Sequence, residues 1–140
     1  MVSKKPVIIF IPGNVPSLKN NKQIITLGPR CSKCRKGKFN KLISSKTVIQ
    51  WKKDTKPSWL AFKKTFLNQL EELATPYRIK FTFIRKSRHK FDYTNALDTV
   101  QDEMIHHDWL EDDNSDILIP VIGRYRYDKK NPGVYIKVLK

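Results

Sequence analysis

Residues 77–85, with the sequence YRIKFTFIR, alternate between apolar and polar side chains from Ile79 to Phe83. Ile79, Phe81 and Phe83 fall on one face of an extended chain, and mostly polar side chains separate them. Alternation of this kind, rich in aromatic residues, predicts a strand with one buried face. Such a strand needs neighbouring strands and a second layer to cover its apolar face, and the rest of the chain has to supply both.

Further stretches are also predicted to be extended. The apolar run 7–12 leads into a Pro-Gly turn, and 23–27 is short and rich in isoleucine. Residues 117–128 and 133–139 are predicted to be two strands joined by KKNPG as a hairpin turn. With 77–85 they predict a mixed sheet of about five strands.

Two segments show the spacing of helices. In 57–73, Pro57 suits the first turn, and the following apolar side chains share one stripe: Trp59, Phe62, Phe66, Leu70 and Leu73. In 94–107 the buried face is predicted to consist of Leu97, Val100 and Met104. The expected fold is therefore α+β, a single domain spanning 1–140 with a mixed sheet and two main helices.

The chain is strongly basic, with 28 Lys and Arg against 13 Asp and Glu and a net charge of +15. Such a charge favours a polyanionic partner, and nucleic acid is the commonest, because each neutralised phosphate releases a counterion. A merely solvated basic surface and a membrane surface are the alternatives. No apolar run approaches the roughly 20 residues that span a bilayer, and the N-terminal run is cut short by Pro-Gly. We therefore expect a cytoplasmic protein without a membrane partner.

Residues 28–46 form an irregular segment rich in Lys and Arg, predicted to be a basic loop that orders on a phosphate backbone. It contains Cys31 and Cys34 in a C-x-x-C pattern. A Zn²⁺ site needs four ligands, so two subunits would have to pool their cysteines, or His106 and His107 would have to complete the set. Two reduced thiols are the alternative. Nearby Trp51, flanked by lysines, is predicted to contact DNA.

Nine acidic residues and no Lys or Arg lie between positions 92 and 123. Within the predicted helix, Asn95, Asp98 and Asp102 are spaced i, i+3 and i+7, which places them on one polar face. Asp92 lies just before this helix. Asp112 and Asp113 follow it by one turn, close enough in sequence to return to the same place.

Clustered carboxylates repel one another, and a bound divalent cation offsets that repulsion strongly. Mg²⁺ prefers oxygen ligands and supports hydrolysis of phosphodiesters, so carboxylates within a basic surface are typical of a metal-dependent nuclease. The alternative is a solvated acidic helix face whose first carboxylates favour the helix dipole. Spacing alone leaves both interpretations open.

The order of these residues resembles the RusA family of Holliday-junction endonucleases. Here D-x-T-N-x-x-D-x-x-x-D (92–102) precedes W-L-E-D-D-N-S-D (109–116), and the family has R-x-x-D-x-D-N-x-x-K-x-x-x-D-x-L followed by G-x-x-x-D-D. PSLKNN (16–21) is similar to the family's P-P-S-x-N loop. The resemblance implies a Mg²⁺-dependent homodimer that nicks two opposed strands of a four-way DNA junction symmetrically.

The resemblance also implies which residues form the site. Asp92, Asn95 and Asp102 match motif positions, and Asp112 with Asp113 matches the later Asp pair. Two positions depart from the motif: Thr94 stands where the family has its second Asp, and Asp98 stands where it has Lys. If Asp98 replaces the missing carboxylate, the catalytic residues are Asp92, Asp98, Asp102 and Asp113. The expected metal ligands are Asp92, Asp98, Asp112 and Asp113, with Asn95 and Thr94 in support and Mn²⁺ as an alternative cation.

Residues expected to bind DNA are basic and lie in the N-terminal half or just before the acidic helix: Lys19, Lys22, Arg30, Lys33, Arg35, Lys36, Lys38, Lys46, Arg85, Lys86, Arg88 and Lys90. Lys86, Arg88 and Lys90 are also candidates to replace the missing motif lysine. Two rival functions remain open. One is a non-catalytic protein that binds branched nucleic acid, and the other is a nuclease for a different structured nucleic acid.

Overall fold

The computed structural model describes residues 7–17, 22–27, 39–44 and 46–140, of which 22–27 and 39–44 are described by their backbone alone. The elements in chain order are β1 (Ile8–Pro12), β2 (Lys22–Leu27), β3 (Phe39–Ser44), α1 (Lys46–Leu70), β4 (Tyr77–Arg85), α2 (Tyr93–His106), β5 (Leu118–Ile122), β6 (Arg126–Tyr127) and β7 (Gly133–Leu139).

The main sheet has five strands in the order β1-β7-β4-β5, with β6 following β5 along the same edge of β4. β7 is antiparallel to both β1 and β4, whereas β5 and β6 are parallel to β4. Strands β2 and β3 form a separate antiparallel pair. A mixed five-stranded sheet with two helices confirms the predicted α+β class.

The core lies between one face of this sheet and the two helices. Ile79, Phe81 and Phe83 of β4 are fully buried, as the alternation predicted. They belong to one apolar cluster with residues of α1 and α2, among them Trp59, Phe66, Leu97, Val100 and Met104. The opposite face of the sheet is not covered by either helix. Within the described part of the chain, no helix is long and apolar enough to cross a membrane.

The predicted hairpin between 117–128 and 133–139 is wrong. Residues 117–128 contain two strands, β5 and β6, and neither pairs with β7. The physical reason is the length of β4, whose nine residues pair with β5 and β6 in succession along one edge and with β7 along the other. The turn before Gly133 therefore carries the chain across the end of β4.

The first helix is longer than predicted, because it begins at Lys46 and ends at Leu70. Pro57 lies inside it and not in its first turn. The buried stripe continues upstream of the proline through Val48, Trp51 and Thr55, and this packing outweighs one missing hydrogen bond. Pro57 is on the exposed side, where water can satisfy the carbonyl that lacks its partner.

Three further predictions in or near this helix are also wrong. Residues 28–46 are not irregular throughout, because 39–44 form β3 and Lys46 begins α1. Trp51 is not a surface contact for DNA, because it is only 5% exposed and its ring meets that of Trp59 edge-on. Phe62, predicted to share the buried stripe, is exposed.

Candidate functional site

The acidic motif begins with a helix cap. Asp92 precedes α2 in an extended conformation, and its Oδ1 accepts hydrogen bonds from the Thr94 backbone N at 2.9 Å and from Thr94 Oγ1 at 2.6 Å. An Asp at this position satisfies one of the unpaired N–H groups at the start of a helix. Thr94 therefore holds the Asp92 carboxylate at the N-terminal end of α2.

The end of α2 turns the chain back on itself. Asp108 has a left-handed backbone conformation, with φ of 60°, and the backbone N of Trp109 donates to the Met104 carbonyl at 2.8 Å. This is a common way of ending a helix, although Gly is more usual than Asp at the left-handed position. Trp109 and Leu110 then bury their side chains in the core. The reversal brings Asp113 beside the polar face of α2.

Four exposed carboxylates are coupled electrostatically as a result, and we refer to Asp92, Asp98, Asp102 and Asp113 as the acidic cluster. Partial burial raises the pKa of Asp98, and the charges of Asp113 and Asp92 raise it further. Partial burial also raises the pKa of Asp102, where Lys52 acts in the opposite direction and Asp113 and Asp98 add to the rise. Three segments of the chain thus contribute carboxylates to one region of negative potential.

The donor chemistry of this cluster suits a hard cation, because every side-chain ligand is a carboxylate oxygen. Among the described side chains, no group of three or more Asp, Glu, His or Cys has the arrangement of a metal centre. Asp98, Asp102 and Asp113 are exposed, so other staggered rotamers are accessible to them.

Asp112 has a different role in this structure from its neighbour Asp113. Its carboxylate accepts hydrogen bonds from the Asp113 backbone N at 2.8 Å and from Asn114 Nδ2 at 2.9 Å. These bonds lower the pKa of Asp112, with the Asp113 amide the larger cause. Asp112 thus orders the turn that presents Asp113. Asn95 is half-buried in the first turn of α2, and its carbonyl accepts a hydrogen bond from Thr99.

A groove between the helices borders the acidic cluster. It has a volume of about 540 Å³ and is lined by Lys52, Lys53, Lys56, Asp102, Glu103, His106 and His107. Glu103 is only 3% exposed, and its carboxylate lies 3.2 Å from His107 Nε2 and 3.8 Å from Lys52 Nζ. We refer to it as the α1–α2 groove. The sequence predictions missed its lysines, although their i and i+4 spacing (Lys52, Lys56) would have grouped them on one face had the helix been extended upstream.

Apart from the buried Arg85, the residues predicted to bind DNA fall into three groups. Lys46, Lys86, Arg88 and Lys90 are exposed, and Arg88 lies over the Tyr127 ring at 4.8 Å. Lys22 begins β2, where only the backbone is described. The remaining predicted residues lie outside the described residues: Lys19, Arg30, Lys33, Arg35, Lys36 and Lys38, together with Cys31 and Cys34 of the predicted zinc site.

Arg85 differs from the other predicted DNA contacts because it is buried. Its guanidinium donates hydrogen bonds to the Val15 carbonyl and to Ser17 Oγ, and it lies over the Phe91 ring at 4.3 Å. Burial lowers its pKa. These contacts join the segment after β1 to the end of β4, so Arg85 has a structural role in this chain.

We expect Arg85→Gln to lower the free energy of unfolding by about 2 kcal/mol, because buried hydrogen bonds from a charged group are lost. The matched change Lys86→Gln, at the exposed neighbouring position, should alter it by less than about 0.5 kcal/mol. Urea denaturation of both variants measures the difference. Equal stability of the two variants would show that the buried guanidinium is dispensable for folding.

Comparison with known proteins finds no family model that matches the chain and no curated protein that matches it.

Proposed function

We propose that this chain is a Mg²⁺-dependent endonuclease of branched DNA, acting in the cytoplasm as a homodimer on four-way junctions, as its resemblance to the RusA family implies. The observation that carries the proposal is the electrostatic coupling of four carboxylates, from three segments of the chain, in a protein with a net charge of +15. A metal-dependent nuclease requires this combination, because cations attract the nucleic acid and carboxylates bind the metal ion.

The acidic cluster is unfavourable for folding by itself. The pKa values of Asp98 and Asp102 are raised by burial and by neighbouring carboxylates, so each ionised group is held in a region that disfavours its charge. A cation shared among the carboxylates removes this cost. When bound, Mg²⁺ supplies activation of a water molecule and neutralisation of the charge that develops on the leaving oxygen.

Within this proposal each acidic residue has a role. Asp92, Asp98 and Asp113 hold the metal ion, Asp112 orders the turn before Asp113, and Asp102 extends the cluster toward the α1–α2 groove. Asp98 compensates for the motif acid that Thr94 replaces. Two observations support this compensation: the Thr94 hydroxyl bonds to Asp92, and the charges of Asp92 and Asp113 both act on Asp98.

Cations flank the acidic cluster on two sides. The exposed residues Lys86, Arg88 and Lys90 immediately precede Asp92, and the lysines of the α1–α2 groove lie beside Asp102. Contacts between such cations and phosphate groups fix a nucleic-acid backbone in position without selecting a sequence. We infer that the nucleic acid crosses the acidic cluster between these two groups. In this arrangement Lys52, whose charge acts on Asp102, takes the place of the missing motif lysine.

One observation favours a second candidate, a protein that binds branched nucleic acid without cutting it. No three of the described carboxylates have the arrangement of a metal centre, and Thr94 replaces a motif acid. A nuclease for another structured nucleic acid, such as flapped DNA or folded RNA, shares the same site chemistry.

Cleavage of defined substrates separates these functions. The protein is incubated with a synthetic four-way junction, a linear duplex, a flapped duplex and a folded RNA, in Mg²⁺, in Mn²⁺ and in EDTA. We expect paired symmetric nicks in the junction alone, and only with a divalent cation. Binding of the junction without cutting in both cations contradicts the nuclease proposal, and preferential cutting of the flap or the RNA reassigns its substrate. Sedimentation velocity tests the proposed dimer.

A further inference from the structure

The face of the main sheet that points away from the helices has an unusual composition. We refer to it as the open face, and its part around β7 is formed by Ile8, Phe10, Lys80, Thr82, Tyr135 and Lys137, with Arg126 at its edge. The five strands of the sheet, all in the described part of the chain, contain no Asp or Glu. Every charged side chain of these strands is therefore a cation, and Asp128, directly after β6, lines a neighbouring pocket with Arg126 and Tyr135.

Two of its lysines face each other directly. In the register of β4 and β7, Lys80 is paired with Lys137. Like charges at directly opposed positions of neighbouring strands destabilise a sheet. No carboxylate lies within ion-pair distance of either lysine among the described residues. Folding alone does not account for this pair, whereas a bound anion would neutralise both charges.

A shallow pocket of about 240 Å³ lies over this pair, lined by Ile8, Lys80, Thr82, Arg126, Tyr135 and Lys137. Its cationic side chains offer only hydrogen-bond donors, and the Thr82 hydroxyl is able to donate as well. Such a set suits the acceptor oxygens of a phosphate group. The pocket is therefore complementary in charge and in hydrogen bonding to a phosphodiester.

Aromatic rings lie beside the pocket. The Tyr135 ring is 4.8 Å from that of Phe10, and Tyr135 is 36% exposed. Phe10 lies over Gly133, where a Cβ atom would come within 2.5 Å of the ring, so glycine makes room for it. Tyr127, which is 44% exposed, lies at the same end of the sheet. Exposed rings of this kind are platforms on which unpaired bases stack.

We infer that the open face binds single-stranded nucleic acid, with a backbone phosphate between Lys80, Lys137 and Arg126 and a base stacked on Tyr135. A duplex keeps its bases paired and so offers phosphates but no base to the ring. This inference is independent of the acidic cluster, because none of its residues belongs to that site or to the α1–α2 groove. A second copy of the chain is a poorer occupant, because two copies of this face would bring cations against cations.

Binding of short single strands of about 12 nucleotides tests the inference, within the site sizes of single-strand binding domains. Fluorescence anisotropy is measured in EDTA with oligothymidylate, oligouridylate and a DNA duplex, over a range of salt concentrations. Two variants are compared with the wild type. One combines Lys80→Gln with Lys137→Gln, and the other carries Tyr135→Leu alone. The matched control is Lys63→Gln with Lys64→Gln, which removes the same charge from α1.

We expect the Lys80/Lys137 variant to lower the slope of log affinity against log salt by up to about 0.7, since the two lysines share one phosphate and each neutralised single-strand phosphate contributes about 0.7. Tyr135→Leu should weaken single-strand binding by roughly tenfold and leave duplex binding nearly unchanged. The two oligonucleotides show whether DNA or RNA is preferred. Thermal unfolding of the Lys80/Lys137 variant should be no lower than that of the wild type, because a repulsive pair is removed.

Three outcomes would overturn the inference. The first is the same loss of affinity in the Lys63/Lys64 control, which would indicate a general effect of net charge. The second is unchanged single-strand binding by Tyr135→Leu. The third is a change in the oligomeric state of the Lys80/Lys137 variant, measured by sedimentation velocity, while its oligonucleotide binding is unaltered. That result would make the open face a contact between copies of the chain.

Discussion

Asp113→Asn is expected to lower junction cleavage by more than about 100-fold. Mutation of a residue that only supports a metal ligand already lowers metal affinity or activity by about 10-fold to 100-fold, and Asp113 is proposed to be a ligand itself. Its charge acts on both Asp98 and Asp102, so it is coupled to two of the three other carboxylates of the acidic cluster. The same change should raise the free energy of unfolding of the metal-free protein at neutral pH by a few tenths of a kcal/mol, by analogy with like-charge pairs on helices. Loss of activity with a gain in stability separates a metal site from a structural one.

The gain in stability should depend on pH in a defined direction. The folded protein holds protons on Asp98 and Asp102 more tightly than the unfolded chain does, because their pKa values are raised. Their ionisation therefore destabilises the fold above the raised pKa values, and this cost vanishes as the pH falls below the ordinary Asp value of roughly 4. Asp113→Asn should thus stabilise the protein most at neutral pH and least in acid, as measured by urea denaturation.

Asp116→Asn is the matched control, because Asp116 is an exposed Asp of the same connection that acts on neither raised pKa. It should retain cleavage and stability. Added Mg²⁺ should raise the melting temperature of the wild type and of Asp116→Asn more than that of Asp113→Asn, because a ligand stabilises the state that binds it. Wild-type cleavage by Asp113→Asn would refute the proposed site.

Trp109→Ala should lower the free energy of unfolding by about 3–5 kcal/mol, the usual cost of removing a buried aromatic side chain. Trp109 is 1% exposed and its ring lies 4.7 Å from Phe66 and 5.0 Å from Trp59. Its Nε1 donates to the Trp59 carbonyl at 3.0 Å, which joins the connection after α2 to α1. The substitution should therefore also displace Asp113 and reduce cleavage under conditions in which the variant remains folded.

Phe62→Ala is the control for this second prediction, because it removes an exposed aromatic side chain from the same helix. It should change the free energy of unfolding by less than about 0.5 kcal/mol. Urea denaturation measures the free energy of unfolding of both variants. It is followed by tryptophan fluorescence for Phe62→Ala and by circular dichroism for Trp109→Ala. A Trp109→Ala protein as stable as the wild type would contradict the anchoring role of this residue.

The fold class followed from patterns that are local in sequence. Ile79, Phe81 and Phe83 alternate strictly, so their burial could be predicted without knowing their partners. The pairing of the strands could not be predicted in this way, because the position of β7 between β1 and β4 depends on contacts distant in sequence. The start of α1 was also missed, because Pro57 resembled a start signal and the apolar spacing around Trp51 was interpreted as surface.

For the candidate site, helical spacing placed Asp98 and Asp102 on one face of α2, which is where the structure has them. The approach of Asp113 required the reversal at Asp108, and a left-handed Asp carries no clear sequence signal. Lys52 was missed for a different reason. Its proximity to Glu103 and Asp102 arises from the packing of α1 beside α2, which no local pattern records.

The central position of β7 has a consequence for biosynthesis. A ribosome makes β1 and β4 well before β7, yet neither is hydrogen-bonded to the other, and among the described strands it is β7 that joins them. Until β7 emerges, the nascent chain presents two strands with unpaired edges, which are templates for association with other chains. Premature termination before Gly133 should accordingly yield insoluble protein, even though every carboxylate of the acidic cluster has already been translated.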